Sequence, residues 1–473
     1  MGSLGPAGST LTAMKSHVEH ERKLEAGQGF RLPPLGGEPL ESRVFTSVYH
    51  DVPAGSLTDA GITLRRRVEH GRSVWQLKLP VAGARLEVEA PGGPTPPGEL
   101  TRLLTAHLRH GRLAPVAELR TRRRGELVAR AGTTAEVTVD EVSVMDAHRV
   151  TGGFVEVEIE LHEGDAQELD GIADEVARAG ARPGNGLPKV FRALGRDGTA
   201  AQPPADPFEA LRLRLRQQLR EILAHDPGTR LGEDPESLHD MRVAVRRSRA
   251  LLRAGSRLIG SDTDALAAEL KDLGAVLGAV RDLDVLLARL DEEAGELDAA
   301  DAKAARSLLR SLRAERTRRR RALLRRLESP RYLQLLDDFA RSLDELEPSG
   351  ADVSLDALAA RAFTEARRSA RALPKEPSDD ELHALRKRGK RARYAAELAG
   401  QKRLVKSFKR LQDVLGEHQD AVVAEGRLRE LAGGAAQAQA LAAGRLVERE
   451  RERKAKARGA WRKAWRKLER AAT

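Results

Sequence analysis

The chain has 473 residues, 40% of them hydrophobic and 32% charged, and no cysteine. That is enough for two or three domains with cores of their own, and it excludes disulfides and thiolate zinc sites. A net charge of +11 favours a polyanionic partner, while only 3% aromatic residues argue against nucleic-acid recognition by base stacking.

Residues 1–16 are Gly/Ser-rich and lack the apolar core of a signal peptide, and no stretch is apolar enough to span a membrane. A cytoplasmic location without membrane contact is therefore expected. His17–Leu24 reads as a strand with Glu19, Glu21 and Lys23 on one face. Alternating segments follow at Arg43–Tyr49, Ile62–Glu69, Ser73–Leu79, Arg85–Ala90, Val116–Arg123, Glu126–Arg130, Ala135–Asp140 and Phe154–Leu161. Gly98–His110 and Asp165–Gly180 read as helices between them. Eight or nine strands at hairpin spacing suggest an antiparallel barrel or sandwich over residues 15–197.

Residues 198–207, rich in Pro and Ala, read as a linker. From 208 to 473 apolar residues recur at helical spacing, with Pro227, Gly260, Pro348 and Pro374 as breaks. This half is expected to be an all-α bundle.

The strands of the first half share a pattern. Val155, Val157, Ile159 and Leu161 oppose Glu156, Glu158 and Glu160. Arg65 shares a face with Arg67; Lys78 lies opposite Leu77 and Leu79; Arg85 shares a face with Glu87 and Glu89, Arg120 with Arg122, and Thr138 with Asp140. A solvated sheet face accounts for any one of these strands. For six strands in succession, an interior carrying both signs of charge accounts for them better. Oxygen donors suit magnesium or manganese, and rows of arginine and lysine suit phosphate oxygens.

The segment resembles the CYTH family of triphosphate tunnel metalloenzymes. Its opening Glu-x-Glu-x-Lys is Glu19, Glu21 and Lys23 here; Tyr49-His50-Asp51, Leu64-Arg65-Arg66-Arg67 and Leu77-Lys78 follow in the family's order, then Arg122, Asp140, Glu156/Glu158 and Lys189. The resemblance implies an antiparallel barrel of about eight strands around a tunnel. It implies Glu19, Glu21, Asp140, Glu156 and Glu158 as ligands of divalent cations, magnesium or manganese. Lys23, Arg65, Arg67, Lys78, Arg122 and Lys189 would grip a triphosphate, with Arg120 as an alternative to Arg122. Glu19, Glu21, Lys23, Glu156 and Glu158 would carry catalysis; which carboxylate acts as base stays open, as does a place for Glu160. Hydrolysis of inorganic or organic triphosphates is the implied activity. A barrel that only binds polyphosphate, and a class IV-type adenylyl cyclase, are the alternatives.

The helical half contains a repeat. Leu238-His239-Asp240-Met241-Arg242 through Arg249 aligns with Leu382-His383-Ala384-Leu385-Arg386 through Arg393, an offset of 144 residues (383 against 239). Leu277-Gly278-Ala279-Val280-Arg281-Asp282 likewise aligns with Leu415-Gly416-Glu417-His418-Gln419-Asp420. His239, Arg242, Arg246, Arg249 and Arg253 form one helical stripe, and His383, Arg386, Lys390 and Arg393 another. Like charges at this spacing destabilise an isolated helix, which points to an anionic ligand. No other His or Cys sits at zinc-ligand spacing beside either histidine.

This half resembles the CHAD domain, which implies binding of inorganic polyphosphate through the stripes, with Arg247, Arg391, Lys271 and Lys409 extending them, and an association with polyphosphate granules. The run Arg316–Arg326 and the tail Glu448–Arg470 read as solvated helix faces. Oligomeric state is not legible.

Overall fold

A computed structural model describes residues 14–53, 55–81, 84–184, 186–195 and 206–472; the linker expected at 198–207 lies almost entirely outside them, as does most of the N-terminal Gly/Ser-rich segment. The chain divides into two compact units, residues 1–201 with 226–231, and residues 202–225 with 232–473.

The first unit is built on β1 (Lys15–Glu19), β2 (Glu21–Ala26), β3 (Glu38–Pro39), β4 (Arg43–Asp51), β5 (Thr63–Glu69), β6 (Arg72–Val81), β7 (Ala84–Pro91), β8 (Ala114–Arg130), β9 (Thr133–Asp146), β10 (Arg149–Glu163) and β11 (Arg182–Pro183). Its helices are α1 (Ser56–Asp59), α2 (Gly98–Leu103), α3 (Thr105–Leu108), α4 (Glu168–Arg178) and α5 (Lys189–Ala193). Every ladder is antiparallel, in the order β1, β7, β6, β5, β4, β8, β9, β10, β2, β11, with β3 on β8. Tight two-residue turns set the register of three hairpins: His70-Gly71, Ala131-Gly132 and Ala147-His148 all have positive φ, the geometry that matches the twist of the flanking strands.

The antiparallel sheet of the first half and the helical second half are as expected; the sheet is not closed. The opening strand is two strands that change partner at His20: β1 pairs with β7 and β2 with β10. Among the described residues no ladder joins β7 to β10; β1 and β2 are linked there by the chain itself. Two expected segments, Val116–Arg123 and Glu126–Arg130, are one continuous strand, β8. The helix expected over Gly98–His110 is broken into α2 and α3 at Leu104.

Period-two patterning decides which face is wet. Leu24, Val137, Val139, Val155, Val157 and Ile159 pack against Leu169, Ile172 and Val176 of α4. Trp75, Leu77, Leu79, Leu86 and Val88 pack against Leu100, Leu103 and Leu104. Each such fully buried aliphatic side chain contributes about 1.5–3 kcal/mol. With apolar residues committed to that face, the alternate residues of the same strands are turned to the other.

The second unit is helical: α6 (Pro207–Leu231, whose residues 226–231 are grouped with the first unit), α7 (Pro235–Ala254), α8 (Asp264–Gly295), α9 (Ala299–Leu308), α10 (Arg310–Leu327), α11 (Pro330–Asp344), α12 (Leu355–Arg371), α13 (Asp379–Leu398), α14 (Lys402–Ala432) and α15 (Gln437–Ala472). α6 runs through Pro227, one of the expected breaks. The repeat is visible as helix pairs: α7 and α8 carry the first copy of both motifs, α13 and α14 the second. Ser378 and Glu381 start α13 with a reciprocal capping box.

Candidate functional site

In the strand unit, the charged faces enclose a cavity of about 210 Å³. Eight lysines and arginines and seven glutamates line it. Glu19, Glu21, Lys23, Arg65, Arg67, Lys78, Glu158 and Lys189, all expected from the sequence, are among them.

Glu158 is the centre of one ionic cluster. It receives Lys23 at 2.5 Å, Arg123 at 2.5 Å and Lys189 at 2.6 Å. Burial would raise its pKa, but Lys189, Lys23 and Arg123 overcome this and hold the carboxyl well below its ordinary range. The reciprocal holds for Lys23: burial lowers it, and Glu158, Glu21 and Glu156 lift it well above an ordinary lysine. A second cluster surrounds Lys78, which donates to Glu19 at 2.6 Å and lies 2.9 Å from Glu87. Arg65 donates to Gln76 at 2.8 Å and to the Tyr49 hydroxyl at 3.1 Å. The Arg67 guanidinium lies 3.9 Å from the centre of the Phe45 ring.

Among the described residues no salt bridge to Glu160 is formed. Burial, and then the charge of Glu19, push its carboxyl up to about 7. It lines the same cavity.

Four expected positions lie outside the cavity lining. Arg120 and Arg122 are exposed and do not line the cavity; Arg123 does. The register explains it: Arg123 lies opposite Asp140, and Thr121 and Arg123 share the inward face of β8. Asp140 and Glu156 do not line the cavity either. Asp140 is fully buried, bonded to Arg123 at 2.8 and 2.6 Å and 3.1 Å from Lys189. Glu156 lies 3.0 Å from Lys189, yet its Oε1 has no aligned hydrogen bond. Sequence reasoning passed over Arg43, Gln76, Glu87 and Glu136 as site residues. Glu87 was within reach, since it alternates with Arg85 and Glu89.

In the helical unit the two stripes converge. Arg242 of α7 donates to Asp282 of α8 at 2.9 Å, and Arg386 of α13 lies beside Asp420 of α14. Gly278 and Gly416 of the repeated Leu-Gly motif lie under these two guanidiniums. Arg242 and Arg246 also bear on Arg386 and Lys390. Lys390 is pushed down to about 7, first by burial and then by Arg386, Arg246, Arg242 and Arg393. Buried Nε atoms of Arg246 and Arg386 have no hydrogen-bond partner. His239 and His383 are lowered by burial, then by Arg281 and Lys387 respectively; they add no charge near neutrality.

A groove of about 470 Å³ runs between α7, α12 and α13, lined by Arg246, Arg249, Arg253, Lys390 and Arg391 of the expected set. Arg247 and Arg393 are instead drawn to Glu397, at 3.3 and 3.6 Å. Lys271 and Lys409 are exposed outside it. Arg257, Arg361 and Lys387 join it unforeseen: Arg361 lies on α12, which carries no copy of the repeat, Arg257 lies just beyond α7, and Lys387 of α13 falls outside the stripe spacing.

Family models match CYTH over residues 17–185 and CHAD over residues 213–429. The chain belongs to the CYTH–CHAD proteins. It is 30% identical to the Mycobacterium tuberculosis protein called "Uncharacterized protein Rv2226", across 96% of this chain and 97% of that one. Among solved structures, "PptA from Streptomyces chartreusis" aligns at TM-score 0.48 with 27% identity, over 55% of this chain and 99% of that chain. The CHAD domain of the plant Ricinus communis aligns at TM-score 0.48 with 29% identity, over 57% and 94%.

CYTH domains depend on divalent cations. The CYTH unit has the donors for one: the cavity carboxylates offer only oxygen, which hard cations take, and Glu87 Oε1 is buried without a hydrogen bond. Among the described residues no group of three such ligands is arranged to hold a metal ion; the carboxylates are instead ion-paired with Lys23, Lys78 and Lys189. No helix among the described residues is long and apolar enough to cross a membrane.

Proposed function

We propose that the CYTH unit hydrolyses a triphosphate with the help of magnesium or manganese, and that the CHAD unit binds inorganic polyphosphate. The observation that carries the first part is the cavity, where seven carboxylates and eight lysines and arginines line one space. Phosphoryl transfer asks a protein mainly for positioning and for neutralisation of phosphoryl oxygens. Arg65, Arg67, Lys78 and Arg123 offer charge-assisted donors for those oxygens. Glu19, Glu21 and Glu158 would hold the cation, with Asp140 and Glu156 beneath them fixing Lys189 and Arg123. A bound cation would supply further charge neutralisation and a more acidic water. Tripolyphosphate, thiamine triphosphate and nucleoside triphosphates all satisfy this chemistry.

The second part rests on the paired stripes, whose buried guanidinium donors lack partners. Polyphosphate offers repeated phosphate oxygens at the spacing of a flexible chain and needs no aromatic platform.

Phosphate release from these three triphosphates, with magnesium, with manganese and with EDTA, tests the first part. Metal-dependent release that Glu21→Gln abolishes is expected. Release unaffected by EDTA or by Glu21→Gln would overturn it. Cyclic AMP among the ATP products would assign a cyclase instead.

A further inference from the structure

The groove between α7, α12 and α13 is more than a strip of charge. Eight arginines and lysines line it against one carboxylate, Glu365. Apart from Ser256 and Tyr394, its remaining wall is apolar: Ala250, Ala254, Leu358, Ala362 and Ala395. A chain of inorganic phosphate has nothing to place against such a wall. Pockets for small organic ligands are mostly apolar with a few placed polar groups, and their volumes run from roughly 300 to 1,000 Å³.

A third feature is Tyr394. It is 3% exposed, lines the groove, and its hydroxyl is buried with no hydrogen-bond partner. A buried hydroxyl left unpaired costs about 1–3 kcal/mol, and a ligand atom that pairs with it recovers that cost. Arg361 lies 3.6 Å from Glu365, but other cations of the groove lack such a partner. Arg246, Arg249, Arg253 and Lys390 make no salt bridge to any carboxylate among the described residues, and Arg246 Nε is a buried donor without an acceptor.

We infer that this groove is a site for a nucleoside triphosphate: phosphates on the arginines and lysines of α7 and α13, the nucleoside against the alanine and leucine wall of α7 and α12, and one of its polar atoms on the Tyr394 hydroxyl. Several phosphates are required, because a monoester would leave most of the cations unanswered. An organic group is required, because only that uses the apolar wall. The inference shares Arg246 and Lys390 with the polyphosphate reading and otherwise stands on Tyr394, Leu358 and Ala362, which that reading does not use.

The test is acetylation footprinting of Lys387 and Lys390 in the full-length chain with EDTA present, which reads the groove whether or not the strand cavity also binds. ATP, inorganic tripolyphosphate, adenosine and long-chain polyphosphate are the competitors. ATP is expected to protect both lysines at a concentration at least tenfold lower than tripolyphosphate. Tyr394→Phe, which keeps the ring, and Leu358→Ser are expected to remove most of that tenfold preference and to leave protection by tripolyphosphate unchanged. Equal protection by ATP and tripolyphosphate, or a preference untouched by both substitutions, overturns the inference. Failure of long-chain polyphosphate to protect, with ATP still protecting, would instead remove the polyphosphate reading and leave the nucleotide site standing.

Discussion

Gly278 lies directly under the guanidinium of Arg242: a Cβ at that position would be 3.3 Å from Arg242 Nε. Four residues on, one helical turn away, Asp282 accepts from the same arginine. The second repeat copies the arrangement less tightly, with a Cβ at Gly416 3.7 Å from Arg386. Glycine costs about 1 kcal/mol relative to alanine inside a helix. Gly416→Ala is therefore expected to raise stability by up to about that amount and to leave polyphosphate binding intact. Gly278→Ala must displace the Arg242 side chain, so it gains less stability and weakens binding. Urea unfolding and polyphosphate titration of the two variants check both halves; equal effects at the two positions would contradict the difference in spacing.

The inward face of β8 makes a second prediction. Arg122→Ala, on the exposed face, is expected to leave triphosphatase kinetics unchanged. Arg67→Ala removes a charge-assisted donor from the cavity, worth about 1.5–3 kcal/mol, which is roughly ten- to a hundredfold in kcat/KM. Steady-state kinetics on the preferred triphosphate measure this. A loss from Arg122→Ala equal to that from Arg67→Ala would place β8 the wrong way round.

Lys189 holds three buried carboxylates, Asp140, Glu156 and Glu158. Removing one partner of a buried ion pair leaves uncompensated charge and costs about 3–5 kcal/mol. Lys189→Met is expected to lose that much at pH 7. The folded-state pKa of Glu158 is depressed, so its contribution is present above the unfolded carboxylate pKa and is lost as pH falls through the folded one. Without Lys189 the depression is smaller, so the variant loses less on acidification. Denaturant unfolding at pH 7 and at pH values below the unfolded carboxylate range, down to about pH 2.5, should show the gap between parent and variant narrowing; a constant gap across that window would mean that Lys189 acts by packing alone.

Lys390 titrates near 7 in the folded chain, against an ordinary lysine value near 10.4. Between those values the unfolded chain binds the extra proton, so stability rises with pH across the window. Lys390→Gln is expected to raise the melting temperature at pH 6 and to do little at pH 10. Anion binding raises the lysine's pKa, so polyphosphate binding near pH 8 should take up protons. Calorimetric titration in two buffers of different ionisation enthalpy measures that uptake, which Lys390→Gln should reduce. Identical apparent enthalpies in the two buffers would remove Lys390 from the site.

Much of this was legible in the sequence because each signal is a local period. Val155, Val157 and Ile159 alternating with Glu156, Glu158 and Glu160 state which face is apolar without any partner strand, and α4 does cover that face. His239 to Arg253 and its copy at His383 to Arg393 declare a helix stripe and a duplication from spacing alone. β8 shows where this stops. With arginine at 120, 122, 123 and 124, both parities are charged, so period two carries no contrast; only pairing with β9 puts Arg123 opposite Asp140. Closure is of the same kind. The continuous charge pattern from Glu19 to Lys23 reads as one strand, but which neighbour each half takes is a long-range hydrogen-bonding choice, and the chain changes partner at His20. The groove beside Tyr394 is also tertiary, since α12 shares no motif with the stripes and enters by packing. Local periodicity determines faces; long-range pairing and packing decide which faces meet, because those contacts join residues that no sequence window contains together.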